Sequence, residues 1–509
     1  MRWVTRTAVL AAAAATSLAA GWAAARAQRP LTWRFEGAAA LKGWEMPAAG
    51  IGLDGGALQA VRPAADGPGT VSARMALPVE ALRGRRLKLE ARIRAEEVAQ
   101  PPHRWNGVKF MLHVKSPGGD QWIQKDSLWG TFDWKPVRYR ARIPQDAASA
   151  TLVLGLENTT GRAWFDDVTV AVADPRQAEK PYPRSGPRLR GAMIGTTVDA
   201  EDLRVLAAWG ANHVRWQLLW GGFPNGPADS ADIPAYDRWL EGELQRLDRL
   251  LPVCEGLGIH VVVDLHTPPG GRDPRSVCRI FQERRFQDYF LAVWRRIVER
   301  VRRQKAVWGY DLVNEPVEGD VPPGLRSWNE LALQAARLVR SLDPRRAIIV
   351  EPEPWGGAEA MDNLDSLPVE GVVYSFHMYH PFKYTHQGIY GNPTPLPWPA
   401  TVDGRRWDRD ALRAAMEPAV RFQKDTGCRI YVGEFSAIRW APGAAAYLQE
   451  LIGLFEEHGW DWAYHAFREW DGWSVEHGPL QGDARRALEE TDRARVLKAG
   501  FARNRRPDP

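Results

Sequence analysis

Eight short apolar segments occupy the C-terminal part of this 509-residue chain, each separated from the next by a stretch with helical periodicity. The segments are residues 190–195, 211–216, 259–265, 307–313, 347–351, 371–377, 429–434 and 462–467. Between them, apolar residues recur every three or four positions, as at Leu240, Leu244, Leu247 and Leu251. Eight strand–helix units in succession predict a closed (β/α)8 barrel. An open doubly wound sheet is disfavoured because no glycine-rich phosphate-binding turn follows the first segment.

The fourth and the seventh of these segments each lead to a glutamate. The fourth lies in WGYDLVNEPV, residues 308–317, and runs into Asn314 and Glu315 before a proline. The seventh lies in RIYVGEF, residues 429–435, and ends at Glu434. Functional groups of a (β/α)8 barrel gather at the C-terminal ends of its strands, so we expect both carboxylates at the barrel mouth. Such a pair suits acid/base chemistry.

Other predicted strands also end on ionisable or aromatic residues. These are Arg215 near the end of the second strand, His266 at the end of the third, His377 and Tyr379 at the end of the sixth, and Trp470 near the end of the eighth. Each has an ordinary explanation by itself, such as a histidine satisfied within the core. Together they predict a shared functional site, because ionisable groups are costly to bury unless they interact with one another.

The first 27 residues have the pattern of a secretory signal peptide. Arg2 and Arg6 precede an apolar stretch, Val9 to Ala20, and Ala25-Arg26-Ala27 is an A-x-A cleavage sequence. The apolar stretch is too short to favour a membrane span. We therefore expect a secreted protein, extracellular or periplasmic, with no membrane association after cleavage.

Residues 28–173 have the alternating polar and apolar pattern of an antiparallel β-sandwich, with turns rich in proline and glycine. Residues 174–188 contain four prolines and no apolar periodicity, which predicts a semi-stiff linker to the barrel at 189–509.

The chain has 24 tryptophans, a residue whose large flat ring suits stacking on sugars, although a large core is the alternative explanation. Candidate platforms in the sandwich are Trp105, Trp122, Trp129 and Trp134. In the barrel they are Trp216, Trp220, Trp355, Trp440 and Trp473, together with Tyr384, Tyr390 and Trp398 of a long segment after the sixth strand.

Charge and cysteine content exclude several classes of function. Without the three arginines of the leader, 64 basic residues stand against 62 acidic ones, a balance that gives no reason to expect nucleic acid or an anionic membrane as partner. Three cysteines, Cys254, Cys278 and Cys428, do not make a disulfide framework. No CxxC or HExxH motif is present, so we predict no catalytic metal and no cofactor. A monomer is expected.

The strand-end motifs carry a family resemblance. NHVRWQ (212–217), VVVDLH (261–266), YDLVNEP (310–316), YSFHMYHP (374–381), VGEF (432–435) and REWDGW (468–473) resemble glycoside hydrolase family 5, the cellulase-like retaining β-glycosidases. The resemblance implies that Glu315 is the acid/base and Glu434 the nucleophile, and that Asn314 binds the sugar 2-hydroxyl. It also implies that the rest of the site is formed by Arg215, His266, His377, Tyr379 and Trp470.

The sandwich resembles jelly-roll carbohydrate-binding modules, in which the closing strand pairs beside the first. That resemblance implies a possible structural calcium at Glu36, Asp166 and Asp167, with a polar strand end as the alternative. The resemblance of the barrel to glycoside hydrolase family 5 implies a β-glycan substrate, and we favour a β-glucan. The alternatives are a β-mannanase, an exo-β-glucosidase or transglycosylase, and a catalytically silent glycan-binding protein, which would have lost an essential carboxylate.

Overall fold

The computed structural model describes residues 29–178, 180–184, 187–221 and 228–504. The predicted signal peptide, residues 1–27, lies outside this range. The chain divides into two compact units, one ending at Asp174 and the other beginning at Pro175. Within the described residues, no helix combines the length and apolar character needed to cross a membrane.

The N-terminal unit is a sandwich of two antiparallel sheets. Its described strands are β1 (Leu31–Trp33), β2 (Trp44–Glu45), β3 (Ile51–Asp54), β4 (Ala57–Arg62), β5 (Gly69–Ala76), β6 (Arg86–Val98), β7 (Gly107–Lys115), β8 (Gln121–Gln124), β9 (Gly130–Arg142), β10 (Ser149–Thr159) and β11 (Gly161–Val172), with a short helix α1 (Val79–Leu82). One sheet has the order β3–β4–β11–β6–β9 with β1 beside β11, and the other has the order β2–β5–β10–β7–β8.

Period-two patterning explains the core of the sandwich. On β10, Leu152, Leu154 and Leu156 are fully buried between the sheets, while the residues between them face outward. The closing strand β11 pairs with the first strand, Leu31 opposite Val170, as in the modules that the sequence resembles. Among the described residues, Glu36, Asp166 and Asp167 do not form a metal-spaced cluster, so the calcium prediction gains no support. The Asp167 carboxylate instead pairs with Arg34 at 3.1 Å.

The C-terminal unit is a closed parallel barrel, which confirms the predicted fold class. Its strands are β12 (Arg190–Ile194), β13 (His213–Gln217), β14 (His260–Asp264), β15 (Val307–Asp311), β16 (Ala347–Val350), β17 (Val372–Met378), β20 (Arg429–Phe435) and β21 (Asp461–Phe467). A hairpin of β18 (Ala400–Val402) and β19 (Arg405–Trp407) lies between the sixth and seventh barrel strands. Each barrel strand lies within two residues of its predicted bounds.

The helices surround the barrel and bury their apolar faces against it. They are α2 (Ala200–Ala208), α3 (Ile233–Gly256), α4 (Arg284–Val301), α5 (Trp328–Leu342), α6 (Phe382–Thr385), α7 (Arg409–Ala415), α8 (Glu417–Thr426), α9 (Ala444–His458) and α10 (Asp492–Phe501). Leu240, Leu244 and Leu247 of α3 are fully buried, as their spacing predicted. Capping boxes begin α2 at Asp199 and α5 at Ser327.

Every second strand residue points into the barrel, and these residues stack in layers. An apolar cluster inside the barrel includes Val262, Ile349, Val373 and Tyr431. The layers above it become charged toward the C-terminal ends of the strands. The linker covers the opposite end, where the ring of Tyr182 packs edge-on against Trp308 at 4.9 Å. Tyr182 thus helps to close the end of the barrel opposite the site.

A buried ion-pair cluster fastens α9 to the first barrel strand. Glu456 of α9 accepts hydrogen bonds from Arg190 Nε at 2.8 Å and from Trp462 Nε1 at 3.0 Å, and it pairs with Arg188. Burial would raise the pKa of Glu456, but these donors and charges lower it from 4.5 to about 2. Because the folded-state pKa is depressed, this stabilisation is present above pH 4.5 and is lost as the pH falls toward 2.

Replacing Glu456 with glutamine should lower the free energy of unfolding of the barrel by roughly 2 kcal/mol at pH 7, because the buried Arg190 and the partly buried Arg188 lose their counter-charge. The difference from the unmodified chain should shrink as the pH falls from 4.5 to 2. Urea denaturation of the full chain, followed by tryptophan fluorescence, measures it. The matched control is Glu457→Gln at the next position, where an exposed carboxylate pairs with Arg413. This substitution should change the free energy of unfolding by less than about 0.5 kcal/mol. Equal effects of the two substitutions would contradict the prediction.

Candidate active site

Arg215 occupies the centre of the site at the end of β13, and its side chain is fully buried. Its Nε donates to Asp311 at 3.0 Å and its Nη1 to Glu434 Oε1 at 2.7 Å. Its Nη2 donates to Glu351 Oε1 at 2.8 Å and to Asn314 Oδ1 at 3.0 Å. The planar guanidinium thus fixes four groups at the ends of three other strands, β15, β16 and β20, in one arrangement.

Charge repulsion among the surrounding carboxylates is relieved in two ways. Burial would lower the pKa of Arg215, but the carboxylates, beginning with Asp264 and Asp311, raise it well above its ordinary value, so the guanidinium stays charged. Burial, together with the charge of Glu351, raises the pKa of Asp311 well above its ordinary value and favours its protonated form. The cluster therefore holds fewer negative charges than it has carboxyl groups.

Glu434 is held as an anion. Besides the bond from Arg215, its Oε2 accepts the hydroxyl proton of Tyr379 at 2.8 Å. Burial would raise the pKa of Glu434, but the positive charges of His377, His465 and Arg215 lower it well below its ordinary value. A carboxylate that stays ionised in a buried cavity has the character of a nucleophile.

Glu315 lies in the turn after β15 with a φ of +45°, a left-handed conformation that costs energy for a residue with a side chain. Surrounding hydrogen bonds hold it there. Its backbone N–H donates to Glu351 Oε2 at 2.8 Å, and its carbonyl accepts from Arg272 at 2.8 Å. Its carboxylate oxygen lies 2.8 Å from His377 Nδ1. The strained turn aims the carboxyl group at Glu434.

His377, Glu315 and Glu434 come together closely. One donor atom from each lies within 4.8 Å of the other two. That spacing could also hold a metal ion, but both His377 nitrogens already face carboxylates, with Nε2 at 3.1 Å from Glu351. Burial would lower the pKa of His377, but Glu351 and Glu434 raise it well above its ordinary value. An imidazolium has no lone pair for a metal, so the residues fit a hydrogen-bonded cluster better than a metal centre.

A small glycine makes the approach of His377 to this cluster possible. Gly433 precedes Glu434 on β20, and a side-chain carbon on it would lie 2.7 Å from Ser375 Oγ and 3.0 Å from His377 Nε2. The glycine in the VGEF motif is therefore required by packing next to the nucleophile candidate.

Asn314 and His266 border the same cavity. The Asn314 side-chain N–H2 group is buried without a hydrogen-bond partner, while its oxygen is fixed by Arg215. A buried amide with free N–H groups beside a cavity is suited to binding a ligand hydroxyl. His266 Nδ1 lies 2.8 Å from Asp264 Oδ2, which fixes the ring of His266 at the cavity wall.

The cavity at the barrel mouth has a volume of about 1110 Å3. Every residue that the sequence singled out for this site lines it or lies directly beneath it, as Arg215 does. The segment after β17 adds Phe382, His386, Ile389 and Tyr390 as an apolar wall. Trp355 forms the rim beside Glu315, since its backbone N–H donates to the Pro316 carbonyl at 3.2 Å.

Several aromatic residues that sequence analysis proposed as sugar platforms are instead core. Trp216 is fully buried on the outer side of β13, under the guanidinium of Arg246. Tyr384 and Trp398, from the segment after β17, pack against Tyr447 of α9. Trp470 and Trp473 both line the cavity, and Trp470, 40% exposed, stands at its rim.

Sequence analysis missed Glu351, His465 and Glu469. Glu351 ends the fifth predicted strand, and His465 lies two residues after the inward-facing Ala463 on the eighth, so strand alternation was the available signal. His465 Nδ1 lies 3.3 Å from Glu434, and its Nε2 lies 3.1 Å from Glu469. Glu469 follows the strand in a loop, where no periodicity marks it.

Comparison with known proteins agrees with this geometry. A model of the cellulase family, glycosyl hydrolase family 5, matches residues 183–471. Endoglucanase C of Acetivibrio thermocellus is 24% identical over 52% of this chain and 82% of its own length. Cellodextrinase A of Ruminococcus flavefaciens is 24% identical over 52% of this chain and 76% of its own.

A solved structure of Thermotoga maritima Cel5A in complex with cellobiose, 23% identical, aligns over 63% of this chain and 99% of its own, with a TM-score of 0.49. The matched family region spans more than half of the chain and includes the barrel strands from β12 to β21. The chain belongs to the cellulase family, glycosyl hydrolase family 5, and is an O-glycosyl hydrolase.

Proposed function

We propose that this chain is a secreted retaining β-glycosidase that hydrolyses β-glucan, with Glu315 as acid/base and Glu434 as nucleophile. The observation that carries the proposal is the spacing of the two carboxylates, whose nearest oxygens lie within 4.8 Å of each other. Retaining enzymes hold their carboxyl groups roughly 5 Å apart, whereas inverting enzymes leave about 6.5–9.5 Å for a water molecule. The close spacing favours double displacement.

In the first step, Glu434 attacks the anomeric carbon while Glu315 gives its proton to the leaving oxygen, so that a covalent glycosyl ester forms as the glycosidic bond breaks. The environments of the two carboxyl groups support this division. Arg215 and Tyr379 both donate to Glu434 and favour its anion, whereas neither contacts Glu315. Glu315 faces His377 instead.

In the second step, Glu315 takes a proton from water, and the hydroxide equivalent displaces Glu434 from the sugar. Two inversions restore the β configuration. The unpartnered amide of Asn314 would donate to the sugar 2-hydroxyl, an interaction that strengthens as charge develops on the ring. This gives Asn314 a role in the transition state as well as in binding.

The relatives support a β-glucan as substrate, since those reported above are named an endoglucanase and a cellodextrinase. Aromatic rings at the cavity rim, at Trp355, Trp470 and Tyr390, suit stacking on sugar faces. The leader sequence predicts that the protein is exported. Export supports a polysaccharide substrate, because a large polymer is accessible to an enzyme outside the cell. A silent binding protein is disfavoured because both carboxylates are present and closely spaced. Turnover on a panel of β-glucans and mannans, with product analysis, tests the substrate.

The stereochemistry of azide products separates the two glutamates. With Glu434→Gly, azide should enter the vacated space, attack once and give an α-glycosyl azide. With Glu315→Ala and an activated leaving group, the ester on Glu434 still forms, and azide should give the β-glycosyl azide. Without azide, each substitution should lower kcat on the order of 1000-fold or more. Proton NMR of the products decides between the assignments.

Interchanged anomers would reverse the roles of Glu315 and Glu434. Net inversion by the unmodified enzyme would exclude the covalent mechanism altogether. Conservative substitution of Glu457 on α9, an exposed ion-pair partner outside the cavity, serves as the control for handling and folding.

Activity should survive chelation. The donor atoms of His377, Glu315 and Glu434 are engaged with one another or with Glu351, and the proposed steps need no Lewis acid. Incubation with EDTA followed by assay on a soluble aryl β-glucoside should leave kcat within experimental error. A complete loss that added metal restores, with unchanged circular dichroism, would contradict the two-carboxylate mechanism.

We further propose that the N-terminal sandwich binds glycan on the outer face of the β2–β5–β10–β7–β8 sheet. Lys109 on this face is almost fully buried, and its Nζ pairs with Glu157 at 2.6 Å. The adjacent Asn106 donates to the same carboxylate at 2.7 Å, while its own side-chain oxygen is buried without a partner. Such a fixed polar floor is suited to sugar hydroxyls.

Two exposed indoles border this polar floor. Trp122 on the edge strand β8 stacks on His113 at 5.3 Å, and Trp105 stacks on His103 at 4.5 Å. Stacking on a histidine holds each indole in one orientation while its other face remains accessible, and more than half of each residue is exposed. Trp134 lies on the other sheet, beside Arg92, and is not part of this face.

Trp105→Ala and Trp122→Ala should each weaken retention of the full chain on an insoluble glycan about tenfold, since a stacking ring contributes on the order of 1–2 kcal/mol. Turnover of a small soluble aryl β-glucoside should not change. Trp134→Ala is the matched control, because it removes an indole from the other sheet. Pull-down on cellulose, mannan and β-1,3-glucan measures retention, and equal retention by all variants on every glycan would leave the sandwich a structural role.

A further inference from the structure

His465 stands beside the nucleophile candidate at the end of the last barrel strand. Its Nδ1 lies 3.3 Å from Glu434 Oε2 and within hydrogen-bond distance of the Tyr379 hydroxyl. Its Nε2 lies 3.1 Å from Glu469 Oε2. Trp473 covers the imidazole, with ring centroids 5.4 Å apart. A continuous chain of polar contacts therefore runs from Glu469 through His465 and Tyr379 to Glu434.

Glu469 is the outer end of this chain. It follows β21 in a loop and lines the cavity, with 23% of its side chain exposed. Among the described residues, its ion pair is with His465. Burial would raise the pKa of Glu469, but His465 lowers it below its ordinary value. Glu469 is thus an anion that forms an ion pair with His465.

The groups that face His465 favour its charged form. Glu469 approaches from the loop after β21 and Glu434 from β20, while Tyr379 and the imidazolium of His377 approach from β17. Burial and His377 lower the pKa of His465, but Glu469 and Glu434 raise it above its ordinary value. Burial lowers the pKa of nearby His386 to about 3, so that ring adds no positive charge.

The protonation state of His465 determines where the Tyr379 proton points. When both ring nitrogens carry hydrogens, Nε2–H donates to Glu469 and Nδ1–H cannot accept from Tyr379. The Tyr379 hydroxyl then donates to Glu434, as its 2.8 Å contact allows. When Nδ1 is bare, it becomes an acceptor that competes with Glu434 for the same proton.

We propose that Glu469 is a positioning residue for this glycosidase, which acts through His465 to keep Tyr379 donating to the nucleophile Glu434. The inference rests on the proposed function, in which Glu434 is the nucleophile. It makes turnover depend on a third carboxylate that takes no part in bond making or breaking. It also predicts that Glu469 and His465 act as one unit.

The test compares Glu469→Gln, His465→Gln and the double variant on an aryl β-glucoside across pH. Glu469→Gln should lower kcat about tenfold at neutral pH with KM changed less than about twofold, because the effect acts on the nucleophile rather than on binding. Its alkaline limb of kcat/KM should move to lower pH by about one unit, since His465 loses the anion that favours its proton. Glu469→Asp should restore part of the activity and of the limb.

The double variant should be no slower than His465→Gln alone, because the proposed effect of Glu469 on Tyr379 and Glu434 passes through His465. Losses that multiply, or a large rise in KM, would mean that Glu469 contacts the sugar itself and would overturn the proposal. The proposal would also be overturned if Glu469→Gln lowered activity at every pH but left the alkaline limb of kcat/KM in place. That is the result expected if the Glu469 carboxylate has a purely structural role.

Two further variants keep the result interpretable. Glu457→Gln removes one carboxylate from an exposed pair on α9 and should match the unmodified chain in rate and pH profile. Glu434→Gln must abolish turnover in the same assay. If it does not, the proposed function fails, and that failure is distinct from normal Glu434 dependence with an indifferent Glu469.

Discussion

The guanidinium of Arg215 is the interaction on which the rest of the site depends. It carries the positive charge around which carboxylates from β14, β15, β16 and β20 can be buried together. Without it, burial would force several of these groups to take up protons. The planar guanidinium also fixes the positions of its partners, because its N–H groups donate to side chains at the ends of three different strands. Arg215 therefore contributes, with His377 and His465, to keeping Glu434 ionised, and it also fixes the position of Asn314.

Much of this could be predicted from the sequence, because both barrel and site follow strict rules of alternation. Apolar segments of strand length located all eight barrel strands, and the residues at their ends included Arg215, Glu315 and Glu434. Charged residues are rarely buried, so their repeated occurrence at the ends of apolar strands indicated a functional site. The family match over residues 183–471 agrees with this interpretation.

The remainder could not be predicted, because it depends on packing that periodicity does not encode. Whether Trp216 faces sugar or core depends on which side of β13 it occupies, and the outer side is covered by helix. Glu469 lies in an irregular loop, and its partner His465 is four residues away on a strand. The burial of Trp398 depends on its packing against Tyr447 of α9, which lies beyond β20 in the sequence. Contacts of this kind are set by the tertiary structure, so no local sequence pattern predicts them.

The packing of the linker against the barrel has a consequence for how the protein is made. Tyr182 contacts Trp308, and the carbonyl of Pro183 accepts a hydrogen bond from Arg429, 246 positions later in the chain. During synthesis, the residues that close this end of the barrel leave the ribosome long before β20 exists. Contacts of such long sequence separation form late, because the intervening chain must first be ordered. The end of the barrel opposite the catalytic cavity is thus expected to be completed only after nearly the whole chain has been translated.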